Sequence, residues 1–260
     1  MKYIQTIALG LSLMLASLAT HASPDKLLSH LQHMRLTSIS SMSNFFMFSG
    51  LNADQKYERR MMKDLAAFTE ALEAAKGLVA GGTPSEHMGK IESDWNAYMT
   101  KLAAHQKVVA DMGKIDITES MALGLLGNNL SASITKAYAD VAAVNSPNPT
   151  VQQARDLAVL LQEITTQYAA LGTAGKTEFH TGEYKRSLAE MADSFSKDLS
   201  SLSNTARNAS TNLLLDDISS KWSMLSKSMN TQNGNGVPFL IISYNDRIIH
   251  HLEELEGMIR

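Results

Sequence analysis

The pentapeptide Ile91-Glu92-Ser93-Asp94-Trp95 returns later in the chain as Ile218-Ser219-Ser220-Lys221-Trp222. The chain has two tryptophans, one in each stretch, and the spacing is 127 residues from 91 to 218 and again from 95 to 222. An isoleucine followed four residues later by a tryptophan places both side chains on one face of a helix. The recurrence predicts two copies of one helical unit.

Further residues are related by the same spacing. They form four pairs of identical residues: Phe68 and Phe195, Leu72 and Leu199, Tyr57 and Tyr184, Arg59 and Arg186. In the first helix of each copy a spacing of 122 fits better, because it aligns Gly50 with Gly172. Identities are sparse elsewhere, so a chance alignment of two amphipathic helices is the alternative to an internal duplication.

Residues 1–22 have the features of a secretory signal. Lys2 precedes an apolar segment from Ile7 to Leu18, and small residues surround the expected cleavage point after Ala22. The apolar segment is shorter than the roughly 20 residues that cross a bilayer. We therefore predict cleavage, a mature chain with no membrane span, and a periplasmic or secreted location.

Composition excludes several classes of function. The chain has no cysteine, which rules out disulfide scaffolds, thiol chemistry and c-type haem attachment. Its net charge is −3 with the two signs well mixed, so no basic stripe is available for nucleic acid. We expect no nucleic-acid partner and no cofactor.

Apolar residues recur at helical spacing along most of the mature chain, and no stretch alternates with period two. This pattern predicts an all-α protein built as two tandem antiparallel four-helix bundles. The predicted first bundle is 23–144 and the second is 151–260, with a linker at 145–150 that contains Pro147 and Pro149. The predicted helices are 27–48, 54–78, one through 91–102, 117–144, 151–171, 183–206, 213–229 and 238–259.

Four aromatic residues are predicted to form the structural core: Phe68, Trp95, Phe195 and Trp222. Burial of each large side chain would contribute a few kcal/mol, roughly. Thirteen of the 15 methionines follow the signal, after Met1 and Met14. They lie on apolar faces, which favours core packing over copper or haem ligation.

The residues that could suggest metal binding or catalysis have simpler explanations. His250 and Glu254 share a helical face, as do His30 and His33, a spacing that can hold a divalent metal. A terminal helix rich in His and Glu is more often a solvated face, and the paired Glu-x-x-His motifs of di-iron bundles are missing. The sequence also lacks a nucleophile elbow, a phosphate-binding glycine loop and a zincin motif, so we predict no metal site and no enzyme.

The first helix has an unusual middle, Arg35-Leu36-Thr37-Ser38-Ile39-Ser40-Ser41-Met42, in which small hydroxyls surround one cation. Hydroxyl residues compete with the helical backbone for hydrogen bonds, so packing inside a polar seam is needed to stabilise such a helix. A cation among hydroxyl donors offers charge-assisted hydrogen bonds to an oxyanion. Arg35, Thr37 and Ser38 are therefore the candidate ligand-binding residues, for a small anion or another polar ligand.

This run, together with the two Ile-x-x-x-Trp helices, resembles the periplasmic N-terminal sensor domain of type IV pilus methyl-accepting chemotaxis transducers. That family is related to the sensor domain of nitrate-sensing histidine kinases, and the resemblance implies tandem four-helix bundles that bind a ligand. A second arginine expected after the first is absent, with Ser40 in its vicinity, and Arg155 in the second copy is two residues out of register with Arg35. These departures weaken the expectation of anion sensing.

Two functions follow from the sequence. One is a free-standing exported sensor or ligand-binding module, since no membrane or signalling region accompanies the predicted domains. The other is a structural or adaptor protein that packs its helices against another exported protein or against its own copy. A buried polar seam would favour the first, and an exposed apolar stripe the second.

Overall fold

A computed structural model describes residues 24–79, 82–113, 117–173, 186–230 and 238–260. Within these ranges every regular element is an α-helix, which confirms the all-α prediction. The helices are α1 (Pro24–Gly50), α2 (Gln55–Leu78), α3 (Gly82–Met112), α4 (Ile117–Asn145), α5 (Pro149–Thr173), α6 (Leu188–Ala206), α7 (Asn212–Asn230) and α8 (Pro238–Ile259). The predicted signal, residues 1–22, lies outside the described residues.

Several helix starts differ from the predicted bounds. Helix α1 begins at Pro24 instead of 27. Helix α6 begins at Leu188 instead of 183, because Ser187 caps it in a capping box with Glu190.

Proline explains two further starts. Helix α3 extends the predicted stretch 91–102 back to Gly82 and takes Pro84 into its first turn. Helix α5 begins at Pro149, after Asn148, whose side chain accepts a hydrogen bond from the Thr150 N–H. Proline has a preset φ and needs no amide donor in the first turn of a helix. The predicted linker at 145–150 therefore has only residues 146–148 outside helices.

The helices pack in two rings. In the first ring α1 contacts α2, α2 contacts α3, α3 contacts α4 and α4 closes back on α1. Helices α5 to α8 repeat this order of contacts. The rings also meet directly, because α1 packs along α5. Successive contacts from Ser29–Arg155 to Ile39–Thr166 advance in the same direction along both helices, so α1 and α5 run parallel.

Each ring has its own buried cluster, and each cluster takes residues from the other ring. The α1–α4 cluster includes Ala169 and Ala170 of α5, and the α5–α8 cluster includes Leu36 and Ile39 of α1. The rings are therefore joined through packed apolar surface as well as through the chain at 146–148.

Helix α1 is buried around most of its circumference because α2, α4 and α5 surround it. Seven of its polar residues are buried: Gln32, Arg35, Thr37, Ser38, Ser41, Ser43 and Asn44. The hydroxyls of Thr37, Ser38 and Ser41 donate to carbonyl groups of the preceding turn. This satisfies donors that burial would otherwise leave unpaired. Helix α1 can carry this unusual composition because other helices, instead of solvent, surround most of it.

The close approach of α4 to α1 depends on Gly127. A Cβ at this position would lie 2.6 Å from the sulfur of Met42 and 3.5 Å from the Tyr98 ring. The missing side chain lets the two helices approach without displacing buried neighbours.

None of the described helices is long and apolar enough to cross a bilayer.

Candidate ligand site

Arg35 of α1 is buried at the junction of α1, α4 and α5, with 8% of its side chain exposed. Its Nη1 donates to Gln32 Oε1 at 3.0 Å and to Asp156 Oδ1 at 3.2 Å. The guanidinium carbon lies 4.7 Å from the centre of the Tyr138 ring, within cation–π range. Its Nε has no hydrogen-bond partner among the described residues. A buried donor without an acceptor is costly, so this group favours an additional acceptor.

The other two predicted ligand residues are placed differently. The Thr37 hydroxyl donates to the His33 carbonyl at 2.7 Å, and the Ser38 hydroxyl donates to the Arg35 carbonyl at 3.1 Å. Both donor hydrogens are thus used within α1. Arg35 and Thr37 also line different clefts. The structure does not bring the three residues together around one ligand.

Arg35 opens instead onto a cleft of about 780 Å³ formed mainly by α5, with contributions from α4 and α6. Its polar lining includes Thr135, Gln152, Asp156, Glu163 and Arg186. Burial raises the pKa of Glu163, against the opposing influence of the Arg186 and Arg35 charges. The cleft contains both guanidinium and carboxyl groups, so it suits a ligand that carries both a carboxylate and a hydrogen-bond donor.

Arg155 of α5 is the second buried arginine of the junction. Its Nη2 donates to Glu256 Oε1 at 2.6 Å and to Ser29 Oγ at 3.3 Å, and its Nη1 donates to Tyr138 Oη at 3.1 Å. Burial opposes ionisation of Glu256, but hydrogen bonds from Arg155 and Arg260 outweigh it, so the pKa of Glu256 lies below its ordinary value. The Arg155 carbonyl accepts from Gln32 Nε2 at 3.1 Å. Arg155 thereby ties α5 to α1, α4 and α8.

Asp64 of α2 anchors a third polar cluster, which the sequence analysis did not identify. Its Oδ2 accepts from Ser40 at 2.7 Å and from Asn44 at 2.8 Å. Burial raises the pKa of Asp64 to about 6, although both hydrogen bonds act to lower it. Asp64 lies three residues after Met61 and four before Phe68, on the apolar face of α2. A carboxylate on the apolar face of a predicted helix is the sequence signal that could have identified this cluster.

Arg60 links this cluster to α8. Its Nη2 lies 2.8 and 2.7 Å from the two carboxylate oxygens of Asp246, and its Nε donates to Asn44 at 3.2 Å. Arg60 is therefore bound to Asp246, and Asp64 makes no ion pair with any described residue.

Two of the histidines considered as metal ligands, His250 and His251, lie beside carboxylates of their own or a neighbouring helix. His251 is 2.9 Å from Glu254 and 2.7 Å from Asp217, and His250 is 3.4 Å from Glu254. Within the described ranges no group of three or more His, Cys, Asp or Glu residues could hold a metal ion.

No family model matches the chain, and comparison with curated proteins and with solved structures gives no match either. The resemblance to chemotaxis-transducer sensor domains therefore stays a prediction based on the motifs alone.

Proposed function

We propose that the chain is an exported helical ligand-binding module of the sensor type, with its ligand bound in the cleft that Arg35 lines. The observation that carries this proposal is Arg35, a buried cation that lines a cleft of about 780 Å³ and whose Nε has no acceptor among the described residues. A ligand carboxylate could accept from it and compete with Asp156, whose side chain is 54% exposed and free to hydrate. Partial burial strengthens such charge-assisted hydrogen bonds.

The arrangement of the helices supports a sensor role further. Both rings contribute a residue that contacts Arg35: Asp156 belongs to α5 and Tyr138 to α4. A ligand that changed the Arg35–Asp156 contact would act directly on the junction between the rings. We propose on the same basis that the rings are tandem four-helix bundles from an internal duplication, supported by the Phe68–Trp95 and Phe195–Trp222 pairs at a spacing of 127.

Thermal shift measurements with nitrate, acetate, succinate and glutamate test the ligand proposal. At least one should raise the melting temperature of the wild type, and the rise should vanish in Arg35→Ala. Arg207→Ala is the matched control, because it removes an exposed arginine that pairs with Asp216 far from the cleft in sequence. No shift with any of these compounds, together with a less stable Arg35→Ala, would leave Arg35 as a structural residue.

The adaptor function has its own supporting observation on α3 and α4. Met121 and Leu125, one helical turn apart on α4, are 50% and 61% exposed. A shallow surface beside Leu126 is lined by Ala97 and Ala104 of α3. If this face binds a partner or a second copy, Leu125→Lys should abolish the association in analytical ultracentrifugation while the melting temperature stays unchanged.

A further inference from the structure

A groove runs along α1 and α8, with α5 beneath it and α2 beside its second part. It consists of two adjoining cavities of about 350 and 470 Å³ that share His33, Leu36 and Glu253 in their linings. Ala154 and Ala158 of α5 contribute small side chains to the first cavity, next to Leu36. We call it the α1–α8 groove. Arg35 lines neither of its cavities, so the inference below is independent of the function proposed above.

At one end of the groove two guanidinium groups share one carboxylate. Arg155 and Arg260 line this end, and both guanidinium groups bind the same carboxylate, that of Glu256. Arg155 is only 4% exposed, and its Nε has no acceptor among the described residues. Arg260 is 48% exposed, so a second carboxylate at this end would bind to its guanidinium and leave Glu256 to Arg155.

The other end offers a carboxylate, that of Asp64, that makes no ion pair with the described residues. Asp64 accepts from the neutral donors Ser40 and Asn44. Arg60 favours its ionisation from a distance but is itself held by both oxygens of Asp246. Lys63 also lines this end and is exposed to solvent. An ammonium group placed beside Asp64 would add a direct ion pair that is absent among the described residues.

The distance between the two ends sets the length of a ligand that reaches both. Ser29 lines the arginine end and Ser40 the Asp64 end, and at 1.5 Å per helical residue they are separated by roughly 16 Å along α1. An extended peptide covers about 3.3–3.6 Å per residue, so roughly five residues bridge this distance.

We propose that the α1–α8 groove binds a short extended peptide with free termini, its carboxylate at Arg260 and its amino group at Asp64. The small floor residues Ala154 and Ala158 let a peptide backbone lie close to α5. Glu253, midway along the groove, can accept from a backbone N–H of the ligand, and His33 lies on the opposite wall. The charge pattern recognises the two ends of the peptide, whereas its side chains face solvent.

Isothermal titration calorimetry at pH 7.5 with pentaalanine tests this proposal. We expect saturable binding, and a loss in affinity of at least about tenfold when the peptide is N-acetylated or when it is C-amidated, since each change removes one charged contact. Free alanine should bind at least about tenfold more weakly than pentaalanine. Equal affinity for capped and free peptides, equal affinity for alanine, or no binding of pentaalanine up to millimolar concentration would overturn the proposal.

Variants assign each terminus to its end of the groove. Asp64→Asn should weaken binding of free pentaalanine to the level of the acetylated peptide and remove the effect of acetylation, and Arg260→Gln should reduce the effect of amidation. Asp198→Asn is the matched control, because it removes a carboxylate outside the groove and should leave the affinity unchanged. Thermal melts check that each variant is folded. An Asp64→Asn protein that still discriminates against the acetylated peptide would contradict the assigned orientation.

Discussion

In the α1–α4 ring the Phe68 and Trp95 rings stack with centroids 4.0 Å apart and planes 20° apart, and in the α5–α8 ring Phe195 and Trp222 lie 4.2 Å apart at 45°. All four side chains are buried. The rings diverge at charged positions: at the spacing of 127, Asp64 in α2 corresponds to Met191 in α6, a buried apolar residue. The apolar packing is thus common to both rings, whereas the buried charges differ between them. Residues that differ in this way are the better candidates for function.

The largest expected effect concerns the shared aromatic pairs. Trp95→Ala and Trp222→Ala should each lower the free energy of unfolding by about 3–5 kcal/mol, the range for emptying a large buried aromatic site. Chemical denaturation measures both. Losses below about 1 kcal/mol would show that the indoles contribute little to the core, and strongly unequal losses would contradict their equivalence.

The two buried arginines should differ in their importance for stability. Arg155→Ala leaves Glu256, whose side chain is 13% exposed, with Arg260 as its partner and removes the bonds to Tyr138 and Ser29, so we expect a loss of about 2–4 kcal/mol. Arg35→Ala leaves Asp156, which is 54% exposed and can hydrate, and we expect a loss of about 1–2 kcal/mol, mainly from Gln32 and from lost packing. Denaturation of both variants in one buffer gives the comparison, and a larger loss for Arg35→Ala would reverse this ranking.

Asp64 should make stability depend on pH in a way that Met191 cannot. The folded-state pKa of Asp64, about 6, lies above the ordinary value of 3.8. The folded protein therefore favours the protonated carboxyl, and its contribution to stability is lost as the pH rises from about 4 to about 6. The groups whose charges act on Asp64 are Arg60, which favours ionisation, and Asp246, which opposes it.

Asp64→Asn isolates this effect because an amide oxygen can still accept from Ser40 and Asn44. The variant should be more stable than the wild type by about 1–3 kcal/mol at pH 7.5 and equally stable below pH 4. Urea denaturation across this pH range measures the difference. A wild type that is the more stable protein at pH 7.5 would mean that Arg60 compensates the Asp64 charge.

The smallest effect concerns a hydrogen bond that distinguishes the two indoles. Trp222 Nε1 donates to Ser196 Oγ at 2.9 Å, and Ser196 is itself exposed. Ser196→Ala should cost about 1 kcal/mol, the usual net value of one hydrogen bond. Ser201→Ala, on the same helix and also exposed, serves as a control that should change stability by less than about 0.5 kcal/mol.

The sequence was sufficient for the helices because each apolar face follows a clear helical period, as with Met61, Leu65 and Phe68. The sequence did not predict that α1 and α5 pack side by side. Both helices carry polar residues around their circumference, and periodicity does not reveal which neighbour satisfies them. Arg35 was identified as buried and polar, but its partner Asp156 lies 121 residues away. The nearby hydroxyls of Thr37 and Ser38 were therefore predicted to share a ligand with Arg35, although they donate to carbonyl groups of their own helix.

The parallel pairing of α1 with α5 also constrains the order in which the protein can form. Helix α1 is synthesised first, yet Gln32 finds the Arg155 carbonyl only across 123 residues of chain. Leu36 and Ile39 of α1 belong to the buried cluster of the α5–α8 ring, whose helices are all synthesised later. During synthesis these side chains stay in contact with water until α5 has emerged, and such distant pairings slow folding. A chain interrupted after α4 would leave Leu36, Ile39 and Arg35 exposed to water. The packing of α1 is therefore completed only when the later half of the protein is present.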